Sequence, residues 1–354
     1  MVVFYHALKQ TPVETGRILP YIAQPLREIT SYGFAGVFLF FVISGFCIHL
    51  RWAKATAAGK TPDMAFGPFW KRRWRRLYPP YLIAISIYLF GAALNGSINL
   101  NGFFAFDFVT HILMLHNLSK ETVYSINSVF WTLAIEEQLY LAYFLLLFLR
   151  KRYGWTWALI VCAAARVSWY TFGNFWSYTL VGWHIPVNES ALTHWFTWAL
   201  GALSVEWAFG LVKLPNWCRS FNLAIFLLLA SAGLENLMPL TAKMPLHLQD
   251  ALWLIAHPLW GLAFFCLLNH FVHAESVWQQ GEREPRWVTT LAAVGLFSYS
   301  LYLVHELILM QMYRFWILGQ SWLVISLFVM IPLALAGSWV FFWLCERPFL
   351  NPSK

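Results

Sequence analysis

Two long uncharged apolar runs, separated by a strongly basic stretch, constrain the fold of this chain more than any other feature. Residues 33–50 are 18 consecutive residues without a charged side chain, and residues 77–100 form a second such run. Between them, residues 51–76 carry eight basic residues and one acidic residue. A helix needs about 20 apolar residues to cross the hydrocarbon core of a bilayer. Both runs are therefore predicted to be transmembrane helices, joined by a basic loop.

The composition extends this prediction to the whole chain. Hydrophobic residues make up 60% of the 354 residues and charged residues 11%, whereas soluble domains carry about 25% charged residues. The net charge of +8 comes mostly from short loops beside apolar runs, where it determines membrane orientation. Nucleic-acid binding is therefore not predicted. The five cysteines are scattered singly, which indicates neither a disulfide framework nor a metal site.

The basic segments predict the topology. Lysine and arginine next to spans are retained in the cytoplasm, so residues 51–76 and 150–152 should both be cytoplasmic. This is possible only if residues 103–118, with Asp107, His111 and His116, do not cross the membrane, so this segment is predicted to be re-entrant or to lie at the outer interface. The chain is predicted to be one all-α transmembrane domain, residues 1–354, with about ten spans, cytoplasmic N- and C-termini and no appended soluble domain. The first predicted span is represented only by its end, residues 1–8. The other predicted spans are residues 33–50, 79–97, 130–149, 155–173, 191–211, 220–238, 250–271, 288–313 and 321–345.

Several polar residues lie inside these predicted spans. Charged groups in a membrane usually face a cavity or a partner, and Glu136 and Glu137 lie about two turns inside an otherwise apolar span. Adjacent residues point about 100° apart on a helix, and Glu136 shares its face with Tyr140, so Glu136 is favoured as the carboxylate in the cavity. The alternative is that both carboxylates are solvated at the outer interface, with Trp131 as an anchor.

Two further groups are candidates for a cavity. Ser298, Tyr302 and His305 follow the i, i+4, i+7 spacing of one helical stripe, although hydrogen bonding between helices would explain such a stripe equally well. His6 could act in proton transfer near neutral pH, or it could simply be exposed near the N-terminus.

The basic loop offers two interpretations. Its charge certainly sets topology and contacts anionic lipids. Arg73 and Arg76, three positions apart on one helical face, could in addition bind phosphate groups at the cytoplasmic mouth of the bundle.

Four motifs in this order make the chain resemble a known family. They are Gly-Val-Phe-Leu-Phe-Phe-Val-Ile-Ser-Gly-Phe at 36–46, which contains Ser44, Arg-Arg-x-x-Arg-Leu-Tyr-Pro at 72–79, Trp-Thr-Leu-Ala-Ile-Glu-Glu-Gln-Leu-Tyr at 131–140 and Ser-Tyr-Ser-Leu-Tyr-Leu-Val-His at 298–305. Together they resemble acyltransferase family three, the membrane-bound bacterial enzymes that O-acetylate surface polysaccharides and related glycans. Phe38 departs from this resemblance, since many relatives carry aspartate there.

The resemblance implies a function and roles for residues. It implies that acyl-CoA, most commonly acetyl-CoA, enters from the cytoplasm and that the acyl group is transferred to a hydroxyl of an extracytoplasmic or lipid-linked glycan. His6 matches the family histidine, Arg73 and Arg76 its paired arginines, and Glu136 its acid, with Ser44, Glu137, Tyr140, Ser298, Tyr302 and His305 as supporting or cavity-lining residues. We therefore expect His6 to act as the base and Glu136 to orient it, with or without a covalent acyl-histidine. The implied location is the cytoplasmic (inner) membrane, in contact with its lipids.

The family histidine normally follows a basic residue eleven positions earlier, and only five residues precede His6. Either the start has been placed too far downstream, which is the favoured reason, or the chain has lost half of its first helix. Two other functions stay open on sequence grounds: a transporter or flippase that uses Glu136 and His305, and a non-catalytic subunit of a polysaccharide assembly system. Trp183, Trp195 and Trp198 are expected at the outer mouth, as membrane anchors or as platforms for sugars.

Overall fold

The chain folds as an all-α bundle. In a computed structural model, which describes residues 1–9, 19–62, 64–94, 96, 101–239, 246–278, 285–315 and 322–350, all regular secondary structure is helical. The helices are α1 (Val2–Lys9), α2 (Leu19–Ser31), α3 (Gly36–Ala57), α4 (Phe66–Leu94), α5 (Gly102–Ile112), α6 (Trp131–Thr171), α7 (Ser177–Val181), α8 (Ala191–Ala208), α9 (Phe221–Leu237), α10 (Leu246–Trp278), α11 (Arg286–Leu296), α12 (Ser298–Phe315), α13 (Trp322–Ile325) and α14 (Ile331–Phe341).

Many of these helices are long and apolar enough to cross a membrane. Within the described residues there are five such segments, or six if the bent pair α11 and α12 is counted as one span. The segment Trp131–Val181 is 51 residues long, which at 1.5 Å per residue is about 75 Å and far exceeds a bilayer of about 30 Å. Gly154, with φ 84° and ψ 174°, breaks it. The prediction of an all-α multi-pass bundle is confirmed, and the count of ten spans stays a prediction.

Helices α3 and α8 are in close backbone contact. A Cβ atom added to Gly45 would lie 1.9 Å from the carbonyl oxygen of Trp198, and one added to Gly201 would lie 1.9 Å from that of Val42. Small residues at helix interfaces permit this close approach in membrane proteins. The contact places Ser44, on α3, against the indole of Trp198, on α8.

A buried ionic cluster ties together the ends of α3, α6 and α8. Both carboxylate oxygens of Glu206 accept bonds from Arg150, at 2.8 and 2.6 Å, and Glu206 also pairs with His49 at 2.9 Å. The Arg150 guanidinium lies 4.8 Å from the ring centre of Trp52, next to the basic loop. Residues 51–76 and 150–152 therefore lie at the same end of the bundle, as their charge predicted. We call this the basic end, and the opposite end the far end.

The segment 103–118 does not cross the bundle. Its helix, α5, has 11 residues and a length of about 16 Å, roughly half a bilayer. The turn that follows, with Met114 at φ 55°, packs against α6, where the Gln138 amide donates to the carbonyl oxygen of Met114 at 3.1 Å. Gln138 lies seven residues, or about 10 Å, inside α6. The prediction that this segment is not a span is confirmed, and its buried turn favours the re-entrant alternative.

The polar residues of this segment are satisfied partly by one another. Asp107 accepts a bond of 2.6 Å from Ser125 and lies 3.2 Å from His111, whose ring stacks on His116 at 3.9 Å between centres.

Candidate active site

His6 lines a cavity of about 420 Å³ at the far end of the bundle, together with Tyr302, Trp131 and Tyr124. Helix α1 holds the imidazole there by packing against α12, and the Tyr313 hydroxyl donates to the carbonyl oxygen of Ala7. The imidazole is largely buried, with 13% of its side-chain surface exposed. His6 is therefore part of an enclosed polar site, and the alternative of a simply exposed histidine is wrong.

The carboxylate next to His6 is Glu306. Its Oε1 lies 3.9 Å from Nδ1 of His6 and accepts a bond of 2.5 Å from the Ser128 hydroxyl. Its Oε2 is buried without a hydrogen-bond partner among the described residues. The separation of 3.9 Å exceeds a hydrogen bond, but catalytic pairs are often this loose before substrate binds. Glu306 can thus stabilise a protonated His6.

His305 lies on the other side of His6. The two imidazole rings are 5.2 Å apart and meet edge to face. Nδ1 of His305 lies 2.9 Å from the carbonyl oxygen of Leu301, which can only accept, so this nitrogen carries the proton. Its Nε2 is buried and has no hydrogen-bond partner in the part of the chain that the structure describes. Tyr302 lines the His6 cavity, whereas His305 contacts the His6 ring and is not among the residues that line this cavity.

Tyr302 connects the His6 cavity to α6. Its hydroxyl donates to the carbonyl oxygen of Val129 at 2.7 Å and also bonds the hydroxyl of Thr132. Thr132 precedes Glu136 by four residues, so both lie on one face of α6, about one turn apart.

Glu136 belongs to a second cluster, one turn deeper. It is buried and accepts a bond of 2.8 Å from Ser44 and a short bond from Tyr140. The Trp198 indole donates to Ser44 at 3.1 Å. Glu136 is thus buried and hydrogen-bonded and not a solvated interfacial carboxylate, and its place at a cavity stays a prediction. Its hydrogen bonds do not include His6, so the expected orienting contact is not seen, and Glu306 occupies that position.

Arg73 and Arg76 lie on the basic side of this second cluster. The Arg73 guanidinium is 5.8 Å from the ring centre of Tyr140 and 5.9 Å from that of Phe69. The positive charges of both arginines act on the Glu136 carboxylate and on the Cys47 thiol. Arg76 is exposed, so the pair joins a buried carboxylate to an open, positively charged surface.

Some sequence predictions need correction. Ser298 is exposed and, as the first residue of α12, donates to the carbonyl oxygen of Gly295 at 2.9 Å, so it does not line the cavity that Tyr302 faces. Glu137 is buried, with Oε1 unpaired among the described residues, and shares none of the hydrogen bonds of Glu136. Trp195 and Trp198 are buried and so are not surface platforms.

The sequence analysis missed Glu306 and Ser128. The rule that singled out Glu136, a carboxylate inside an apolar span, applies equally to Glu306. Ser128 precedes its span and carries no comparable signal. Phe38, the position that departs from the family resemblance, packs between His194 and His257, at ring distances of 5.6 and 5.0 Å.

Comparison with known proteins identifies the family of this chain. Residues 1–343 match a family described as acyltransferase domain. A 129-residue part of the chain is 35% identical to peptidoglycan O-acetyltransferase OatA of Listeria monocytogenes, covering 33% of this chain and 20% of that protein. A 155-residue part is 25% identical to nodulation protein 10 of Rhizobium leguminosarum, covering 40% of each. The matched parts therefore span less than half of these relatives, and no solved structure matches.

Proposed function

Because this chain belongs to acyltransferase family three and is a multi-pass membrane protein, we propose that it is an O-acetyltransferase that transfers an acetyl group from acetyl-CoA to a hydroxyl of a glycan. The observation that carries this proposal is His6, held in an enclosed cavity beside the carboxylate of Glu306. The similarity to a peptidoglycan O-acetyltransferase supports a glycan as the acceptor.

The chemistry assigns a role to each group of this pair. His6 removes the proton of the acceptor hydroxyl as the oxygen attacks the thioester carbonyl. A carbon–oxygen bond forms, the carbon–sulfur bond breaks, and the proton passes to the departing thiolate of CoA. Glu306 stabilises the imidazolium that exists between these two proton transfers, as carboxylates do in other base-assisted acyl transfers.

Arg73 and Arg76 bind the phosphate groups of the donor in this proposal. The spacing along α6 supports it: Tyr140, which Arg73 contacts, lies nine residues or about 14 Å from Trp131 in the wall of the His6 cavity. The pantetheine arm of CoA has about twelve bonds between its phosphate and its sulfur. An extended polypeptide spans about 3.5 Å for every three backbone bonds, so at the same extension the arm is about 14 Å long. Glu136 then acts next to the donor, balancing the charge of the arginines.

The sidedness is part of the proposal. The basic end, with Arg73, Arg76 and Arg150, faces the cytoplasm according to the positive-inside rule, where acetyl-CoA is found. The His6 cavity at the far end faces the acceptor side of the cytoplasmic membrane.

The test is an assay of membranes that contain the protein, incubated with labelled acetyl-CoA and peptidoglycan fragments. Transfer yields a labelled ester that mild base removes, and His6→Ala should abolish it while the protein still inserts. Arg73→Ala and Arg76→Ala should raise the apparent KM for acetyl-CoA more than that for the acceptor. Arg219→Ala is the matched control, since Arg219 lies on an exposed turn and donates to Asn216 at 3.0 Å. Full activity of His6→Ala would overturn the proposal, as would transport of an unmodified glycan without ester formation.

A further inference from the structure

A second cavity, of about 270 Å³, lies beside the His6 cavity at the far end of the bundle. The two cavities share Phe34, Val37 and Trp131 as a common wall. The Tyr124 hydroxyl, in the His6 cavity, donates at 2.5 Å to the carboxylate of Glu189, in the second cavity. A molecule in the second cavity is therefore one side chain away from His6.

The side chains that line the second cavity are chemically distinctive. Trp131, Trp253 and Phe34 supply aromatic rings, and Asn188, His194 and His257 supply neutral polar groups. Aromatic walls with a few polar groups are typical of small-molecule sites. The volume is just below the range of about 300 Å³ and more that drug-sized sites occupy, so the cavity suits one small ring and not an oligosaccharide.

Three buried polar atoms of these lining residues lack hydrogen-bond partners among the described residues. They are Oδ1 of Asn188, Nδ1 of His194 and Nδ1 of His257. His194 contacts the backbone oxygen of Asn188 through Nε2, at 2.7 Å, so Nε2 carries the proton and Nδ1 is left as an acceptor. An unsatisfied buried polar atom costs about 1–3 kcal/mol. A ligand with several hydroxyl groups could remove this cost.

The charged residues that line this cavity differ from those of the proposed donor site. Glu189 and Glu235 line the second cavity, and no lysine or arginine does among the residues that the structure describes. A phosphate-rich molecule such as acetyl-CoA is therefore disfavoured here, and a neutral polyol is favoured.

We propose that this cavity binds one neutral pyranose ring of the acceptor, stacked on Trp253 and Trp131, and directs one of its hydroxyls past Trp131 toward His6. The proposal rests on the proposed O-acetyltransferase function, which it deepens. Asn188 and His257 bond the ring hydroxyls, and Glu189 exchanges its bond from Tyr124 for one from the sugar.

The test compares Trp253→Ala and Asn188→Ala with wild type. Both variants keep their backbone carbonyls, which accept bonds from Arg166 and His194. Trp176→Ala is the control, because this tryptophan is 56% exposed and does not line the cavity. With peptidoglycan fragments as acceptor, we expect the acceptor KM to rise at least tenfold in both variants, with an unchanged acetyl-CoA KM and with Trp176→Ala like wild type.

Direct binding separates this proposal from the enzyme assignment. Saturation-transfer NMR with methyl N-acetylglucosaminide and purified protein should show contact with the ring in wild type and His6→Ala, and loss of contact in Trp253→Ala. Acetyl transfer with an unchanged acceptor KM in both variants would overturn the sugar site and leave the enzyme assignment intact. Absence of ring contact in wild type, or its persistence in Trp253→Ala, would also overturn it, whether or not transfer is seen.

Discussion

The pairing of His6 with Glu306 gives a quantitative prediction for Glu306→Gln. Glutamine keeps the size of the side chain and can still accept the bond from Ser128, so the change removes mainly the negative charge. Two unit charges at 4 Å interact by about 4 kcal/mol at an effective dielectric constant of 20, and the observed separation is 3.9 Å. If the imidazole carries about half a positive charge in the transition state, the variant loses about 2 kcal/mol of transition-state stabilisation.

A loss of about 2 kcal/mol corresponds to a fall in kcat of roughly 30-fold, and the full charge would set an upper limit of roughly 1000-fold. The assay is initial-rate acetyl transfer in membranes, with acetyl-CoA and acceptor each varied. Both KM values should stay close to those of wild type, because Glu306 is not assigned to bind either substrate.

Glu346→Gln is the matched control. Glu346 is also a buried glutamate, and it accepts a bond of 3.1 Å from the backbone nitrogen of Ser300, but it makes no contact with His6. The two variants should have similar thermal stability and different kcat. An unchanged kcat in Glu306→Gln, in a protein that His6→Ala inactivates, would refute the pairing. An equal fall in both variants would show that the loss of a buried charge acts through the fold.

The remaining predictions concern the packing that holds the site. Gly45→Ala should force α3 and α8 apart, because the new Cβ would lie 1.9 Å from the carbonyl oxygen of Trp198; we expect a loss of about 1–3 kcal/mol or more, seen as a lower melting temperature in detergent, and a wild-type melting curve would contradict this close contact. Glu206→Ala should destabilise by about 3–5 kcal/mol, because it leaves Arg150 without its carboxylate in a buried setting. Glu206→Gln should recover part of that loss, and equal stability of wild type and Glu206→Ala would argue that the cluster contributes nothing to the fold.

The fold class and the non-spanning segment could be predicted because they depend on local properties. Apolar run length determines which segments can span, and the basic residues at 51–76 and 150–152 fix two ends of the bundle on one side. In the structure, the contact of Arg150 with Trp52 places these two basic segments at the same end of the bundle. Both predictions can be made without information about which helices pack against one another.

The contacts of the site could not be predicted because they join distant parts of the chain. His6 and Glu306 meet only because α1 packs against α12, and no periodicity relates positions 300 residues apart. Ser298 was misplaced for a different reason: it shares α12 with Tyr302 and His305, but the spacing rule gives only the face of a helix and not how far along that face a cavity extends.

The order of contacts along α6 relates the two clusters to the proposed chemistry. Ser128, just before α6, and Trp131 face the His6 cavity. Glu136 and Tyr140 lie near the arginine pair, about one and a half and two and a half turns after Trp131, and Arg150 lies at the basic end. A transporter would need its polar groups to form a path that the whole substrate can follow. Here the clusters differ in charge: the deeper one combines one buried carboxylate with two arginines suited to phosphate groups, and the far-end one combines histidines with the carboxylate of Glu306 and one lysine, Lys9. That difference favours a donor that stays anchored by its phosphates while its acyl end alone reaches His6.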